Sequence, residues 1–498
     1  MIHDLLRWWI GLGITVLGHV LSVVHRLRTK RYPRTQASLR ERYGVEGAPI
    51  LPWGEQLESR VVEFAKGHDA RFAFTSGSTA RPKRIAYPAS RVRMVKWVYS
   101  DTFARCYAAL AIRRKSLYVF SALAEDGSLT GILLEEPRLV PFFSGLQAPY
   151  RVHAHPAMQA LVPKYGASAA RLFVLLVSNP GVLYATNPST LAQFFEHVYE
   201  RWDETRRLAA DFQRDSSAFD PIVRRIRRRL HSVGADKRLA LATHASPPPV
   251  DVLLPGLEAY VCWDGGYVRP FLERLARHLP ADRYRHVPMY SMSTETIETI
   301  ADFTDGVRFL PMAPGVHYEL LPEGAADEAD RLVSPGAAEV GALYTLVVSD
   351  PYGLLRYQTN DLFECVGHVD GVPDLRFVRR RGLEHSFTGE KITGAQLEAA
   401  YRKLALSTFV TCIPHAAPEP HYEIAVVADA VPDGLAERFD RALGAQNEEY
   451  ASKRKSGRLG APRATATELR ALVARVGGGD DWESQFKLLP LHRERHSG

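Results

Sequence analysis

The stretch Thr75-Ser76-Gly77-Ser78-Thr79-Ala80-Arg81-Pro82-Lys83 narrows the folds open to this chain more than any other. It sets four hydroxyls and a glycine directly after a strand-like run, 71–75, that reads as buried, and ahead of a second extended run, 83–87. Hydroxyls and backbone N–H groups in a tight turn can wrap phosphate oxygens. Gly77 lets the backbone come close and Lys83 adds positive charge. The G-x-x-x-x-G-K-[ST] spacing of the common nucleotide loop is absent. An ordinary Ser/Thr/Gly turn is the competing reading, so the rest of the chain has to decide.

At about 150 residues per domain, 498 residues argue for two or three packed units. With 46% hydrophobic and 24% charged residues, disorder, collagen and a polytopic membrane protein are excluded. Cys106, Cys262, Cys365 and Cys412 show no CxxC spacing, which leaves no disulfide framework or sulfur-rich zinc site and suits a reducing, cytoplasmic setting. The net charge of +7 is spread among interspersed acids. The run at 224–229 lacks interleaved aromatics and reads as a solvated helix face, so no nucleic acid partner is expected.

Residues 8–24 are apolar apart from Thr15, His19 and Ser22, and a basic stretch, 25–34, follows at once. Seventeen residues is the short limit for crossing hydrocarbon, and Arg26, Arg28, Lys30 and Arg31 would keep the downstream chain on the cytoplasmic side. Arg7, three glycines and His19 interrupt the run, and no small-residue cleavage site follows. An amphipathic helix packed on the body, or touching the inner face of a membrane through residues 5–24, is favoured over a span.

The remainder alternates strand-like and helix-like segments. A helix is predicted over 90–110 and strands at 116–123 and 182–186, with Asn187 as N-cap and Pro188 opening the next helix. Further strand-like runs fall at 257–263, 285–291, 317–321, 341–349, 353–357 and 375–379. Past 382 the pattern restarts on a smaller scale, with helices at 394–404, 433–450 and 465–476 and strands at 408–413 and 422–428. The expected class is α/β: an N-terminal helix (1–34), a large mixed α/β body (35–381) and a small mobile α+β cap (382–498).

The hydroxyl-rich loop agrees at eight of nine positions with the [ST]-[ST]-G-[ST]-T-G-x-P-K loop of adenylate-forming enzymes, Ala80 replacing the second glycine. Its companions follow in the order such an enzyme needs. Ser293-Thr294-Glu295 resembles the end of the second core motif, Arg356 to Asp361 the third, and Gln485-Phe486-Lys487 the segment with the late catalytic lysine. The text at 314–322, 352–357, 376–380 and 446–450 is similar to one branch, the Gretchen Hagen three family of acyl acid amido synthetases, and the similarity spans about residues 70–490. There are departures. Tyr290 to Glu295 carries one residue more than the family pattern, leaving either Tyr290 or Ser291 at the adenine, and Asn360 stands where the third motif has glycine.

The resemblance implies an ATP- and Mg²⁺-dependent ligase, expected to be a monomer, that adenylates a small carboxylic acid and passes the acyl group to an amine such as an amino acid. Thr75, Ser76, Gly77, Ser78, Thr79 and Lys83 would hold the leaving phosphates; Tyr290 and Ser293 would flank the nucleotide. Glu295 would bind Mg²⁺ and Thr294 would touch the α-phosphate. Asp361 would accept both ribose hydroxyls, Arg380 or Arg381 would contact ribose or phosphate, and Lys487 would bridge carboxylate and α-phosphate after domain closure. Gly389-Glu390-Lys391 is either a lining of the second half-reaction or a surface turn. The Trp263-Asp264-Gly265-Gly266 turn is either a place for substrate to approach backbone or a plain connection. A thioester-forming ligase using coenzyme A and a catalytically silent, membrane-tethered relative are the competing functions.

Overall fold

The structure, a computed structural model, describes residues 2–74, 83–120, 129, 132–133, 156–227, 234–265, 268–290, 293–381, 383–388, 390–416, 418–476 and 489–492.

Helix α1 (Ile2–Tyr43) runs unbroken past the boundary expected at residue 34, with Pro33 on its exposed side. Among the described residues no helix is long and apolar enough to cross a membrane. Instead α1 lies on the body. Ile14, Leu21, His25, Thr29, Tyr32 and Gln36 recur at helical spacing and are buried together on one face. Gly18 sits at the closest crossing with α3 (Ala89–Ala109), where an added Cβ would meet the Ala104 carbonyl oxygen at 2.2 Å. Only a residue without a side chain lets the two backbones approach so far.

Between α2 (Glu55–Gly67) and α3 lies a two-stranded antiparallel pair, β1 (Arg71–Phe74) and β2 (Arg84–Tyr87). Only Ala73 of β1 is buried, so the strand before the hydroxyl-rich loop is half-exposed rather than buried as expected. A Phe-x-Phe run reads as core when Ala73 alone points inward. The body's parallel sheet orders β3 (Leu117–Val119), β4 (Val182–Tyr184), β5 (Ala259–Cys262) and β6 (Arg285–Pro288) side by side. Its faces are covered by helices such as Ala167–Ser178 and Pro188–Glu200, the latter capped by Asn187, whose side chain accepts from Ser189 N at 3.0 Å. A short pair, β7 (Ile300–Asp302) and β8 (Arg308–Leu310), precedes an antiparallel sheet with β9 (His317–Pro322), β10 (Leu343–Ser349), β11 (Tyr357–Val369) and β12 (Val372–Arg380) in order. No separate strand occupies 353–357. Asp350 closes a turn there by accepting from Tyr352 N at 2.8 Å and Leu354 N at 3.1 Å.

Strands β13 (Glu384–His385) and β14 (Ile392–Thr393) lead into the C-terminal part. Its sheet pairs β15 (Val410–His415) with β16 (His421–Val427), and β16 runs parallel to β17 (Arg463–Thr467). The helix expected over 465–476 is therefore a strand followed by a shorter helix, Leu469–Arg475. The alternating Ala464, Thr465 and Ala466 pair with Ile424, Ala425 and Val426, and this tertiary pairing overrides the local helical signal. The helix expected over 433–450 is two, broken at Asn447, whose side chain caps Glu448–Lys455. The part has its own core, from Ile392 to Leu491, and meets the body where Phe271 stacks on Phe409.

Candidate functional site

The segment after β6 is fixed from the side of the hydroxyl-rich loop. Tyr87, at the end of β2, donates its hydroxyl to the Thr294 carbonyl at 2.8 Å. Arg91, on the first turn of α3, donates to the Ala86 carbonyl at 3.0 Å and to the Glu295 carbonyl, and pairs with Asp350 at 3.4 Å. Its guanidinium also lies over the Tyr87 ring, 4.6 Å from the centroid. One buried cation thus ties β2, the Glu295 segment and the turn before β11 together. Burial pushes the Asp350 carboxyl up, against the pull of Arg91 and the two N–H donors.

Lys83 then reaches across. Its Nζ lies 2.6 Å from Glu295 Oε1 and donates to the Tyr357 hydroxyl at 3.0 Å, while that hydroxyl lies 3.4 Å from the same carboxylate oxygen. Glu295 is 4% exposed. A carboxylate so buried needs a cation and donors around it, and Lys83 and Tyr357 supply them. The ammonium also sits 5.8 Å from the ring centroid of Trp53, two residues before α2.

Four residues along β11 from Tyr357 is Asp361, 1% exposed. The strand bulges between them: Thr345 faces Leu362 and Val347 faces Gln358, so Leu346 alone stands against Thr359, Asn360 and Asp361. Asn360 adopts φ +64, the left-handed conformation that makes glycine the usual choice at such a position and that Asn tolerates. Asp361 thereby keeps its place. Its Oδ2 accepts from the Tyr290 hydroxyl at 3.0 Å. Tyr290 is itself held in the core, stacked on Phe377 with ring centroids 4.9 Å apart and edge-on to Phe363 at 5.5 Å.

Three sequence-distant segments therefore meet, through Lys83, Glu295 and the Tyr357–Asp361 stretch with Tyr290. Thr294 lies in the same place through its carbonyl, whereas the Ser293 hydroxyl serves a local turn, accepting from Thr296 N at 3.3 Å. Arg381 is turned to Asp327, 2.7 Å away, with its backbone N–H on the Asn360 carbonyl at 2.7 Å. Arg380 pairs with Asp361 in backbone register, and its side chain lies outside the description. Thr75, Ser76, Gly77, Ser78, Thr79 and Lys487 lie outside the described residues, as do Ser291, Gly266 and Gly389. Tyr87, Arg91 and Tyr357 escaped the reading of the sequence as site residues. Arg91 carried the one available signal, a charge two turns from Val98 on the helix face that also presents Val95.

Glu390, Asn447 and Arg356, from the other family-like segments, are engaged in local contacts. Glu390 accepts from Phe387 N and Thr388 N, each at 2.8 Å, and from the Tyr422 hydroxyl at 2.6 Å. Burial alone would raise its carboxyl, yet the Tyr422 hydroxyl and these N–H donors outweigh it and hold the group down to about 2. Asn447 donates to the carbonyl of Glu390 at 2.7 Å, so 446–450 buttresses that turn. Arg356 forks onto Glu319 with contacts of 2.9 and 2.8 Å, which pins the entry to β11.

Residues 309–380, which include β9–β12 and Asp361, match the family model for the GH3 family central domain. Over 97 residues the chain is 33% identical to a putative indole-3-acetic acid-amido synthetase GH3.10 of Oryza sativa subsp. japonica, covering 20% of each protein. Over 101 residues it is 31% identical to the indole-3-acetic acid-amido synthetase GH3.3 of Arabidopsis thaliana, 20% of this chain and 17% of that one. These matches span about a fifth of the relatives' length. The fold is similar over 90% of this chain and 85% of the other to the AtGH3.15 acyl acid amido synthetase in complex with 2,4-DB, with TM-score 0.67 and 16% identity.

Proposed function

We propose that the chain is an ATP-dependent ligase that adenylates a small carboxylic acid and transfers the acyl group to an amine, an amino acid in the first instance, to make an amide. The observation that carries it is the convergence of Lys83, Glu295 and Asp361 from three segments that resemble, in order, the three core motifs of adenylate-forming enzymes. The relatives named as amido synthetases support the amide as product.

In this reading a carboxylate oxygen attacks the α-phosphorus of ATP and pyrophosphate departs. The amine then attacks the acyl carbon, AMP leaves and the amine's proton passes to solvent. The residues contribute by placing charge, since phosphoryl transfer asks little else of a protein. Asp361, oriented by Tyr290, accepts the ribose hydroxyls. Thr75, Ser76, Gly77, Ser78 and Thr79 wrap the leaving phosphates, Thr294 touches the α-phosphate, and Lys83 supplies positive charge where that loop ends. Lys487 bridges the two reactants from the cap, 382–498, which closes on the body, 35–381. Among the described residues no cluster of three His, Cys, Asp or Glu side chains could hold a metal. Glu295, whose Oε1 is held by Lys83 here, is a single carboxylate, which fits Mg²⁺ because that ion takes most of its ligands from phosphate and water. When bound, Mg²⁺ would offset charge on the triphosphate. Four buried cysteines outside any disulfide suit a reducing cytoplasm.

The test is acid-dependent exchange of labelled pyrophosphate into ATP, followed by AMP release with an amino acid or with coenzyme A as acceptor. AMP release accelerated only by the thiol overturns the amide step. No exchange with any acid of a broad library overturns the adenylation itself.

A further inference from the structure

The buried face of α1 leaves its opposite face outward, and that face is apolar where solvent would be expected to select polar residues. Trp9, Leu12, Val16, Val20, Val23 and Leu27 are 41–60% exposed, and they make up six of the twelve large apolar side chains exposed among the described residues. At 100° per residue they fall within an arc of about 80° and extend along roughly 27 Å of helix. So strong a concentration on one stripe is no scatter of surface residues. Collapse onto the body cannot cover it, because the face carrying Ile14, Leu21, His25 and Thr29 already packs there, on the far side of the helix.

The charge along the same helix says what would cover it. Between Asp4 and Glu41 every ionised side chain is basic. Exposed Arg26, Lys30, Arg31 and Arg34 continue the apolar arc toward the C-terminal half. A second copy docked in parallel would set these cations against each other, and one docked antiparallel would pair the stripes yet offer the basic run no matching row of acidic groups. An anionic bilayer satisfies both halves: apolar side chains enter the acyl boundary while guanidinium and ammonium groups meet lipid phosphates. We infer that α1 docks the protein in-plane on an anionic lipid surface, through the stripe from Trp9 to Leu27 and the basic run after it. This stands independently of the chemistry proposed above.

The experiment sediments the full chain with phosphatidylcholine vesicles, with and without a minority of phosphatidylglycerol. The chain should partition onto the anionic vesicles, at least about tenfold less in high salt. Val16→Glu/Val20→Glu, and separately Arg26→Gln/Lys30→Gln/Arg31→Gln/Arg34→Gln, should each lower partitioning about tenfold or more with thermal unfolding unchanged. The second variant keeps the apolar stripe intact and serves if the first perturbs the helix. Equal binding to neutral vesicles, or none to either, overturns the inference. So does a dimer in vesicle-free solution that Val16→Glu/Val20→Glu abolishes, which would assign the stripe to a second copy.

Discussion

Tyr290 donates its hydroxyl to Asp361 Oδ2 at 3.0 Å, so the ring that could have stacked on a base is packed on Phe377 and acts through its oxygen. In Tyr290→Phe the ring packing stays and the carboxylate loses one donor. A hydrogen bond to a charged group is worth roughly 1.5–3 kcal/mol, so KM for ATP should rise about tenfold or more. Steady-state kinetics check this. An unchanged KM would mean that Asp361 does not need Tyr290 for its task.

Lys83 and Glu295 should be inseparable in function. Glu295→Gln and Lys83→Met are each expected to lower acid-dependent pyrophosphate exchange by about 100-fold or more, the scale of losing one electrostatic stabiliser in a dry site. Because the two touch, the double variant should lose far less than the product of the single losses. Multiplying losses in a double-mutant cycle would disprove the coupling.

The α1–α3 crossing predicts a stability effect far from the site. Gly18→Ala places a Cβ against the Ala104 carbonyl, and overpacking of this kind costs about 1–3 kcal/mol. Denaturant unfolding should show the loss, although alanine is the better helix former. A neutral or stabilising result would mean that the helices do not approach as described.

Glu398 should set a pH dependence. Burial pushes its carboxyl up to about 7 against the pull of Arg379 and Arg402, and Oε1 has no hydrogen-bond partner. A folded-state value above the unfolded one means that stability is fully present below about pH 4.5 and is lost as pH rises through 7. Glu398→Gln should therefore stabilise at pH 8 by on the order of 1 kcal/mol and confer nothing near pH 4. Melting curves at the two values decide it.

The sequence carried the motif order, the alternation of strands and helices and most helices because each rests on a local pattern: the Asn187 cap with Pro188, the 394–404 helix, and Asn360 tolerating a left-handed backbone. It misplaced what depends on partners. Residues 463–467 form a strand only because β16 lies beside them, and the 353–357 stretch is a turn because Asp350 captures its N–H groups. Arg91 and Tyr87 show the same limit at the site. Their importance lies in the carbonyls they reach more than 200 residues away, and no spacing rule encodes that.

Helix α1 has a consequence for how the chain is made. Its anchors arrive late: Thr29 bonds Asp370, 341 residues onward, and the side chain of Gln36 engages Val316 and Tyr318. At about 5–20 residues per second a ribosome needs roughly 17–70 s to deliver the Asp370 turn. For that interval the helix has two oily flanks and no sheet to lean on. An apolar stripe that waits so long for its anchors favours early shelter, by a chaperone or a nearby surface, before the body has folded.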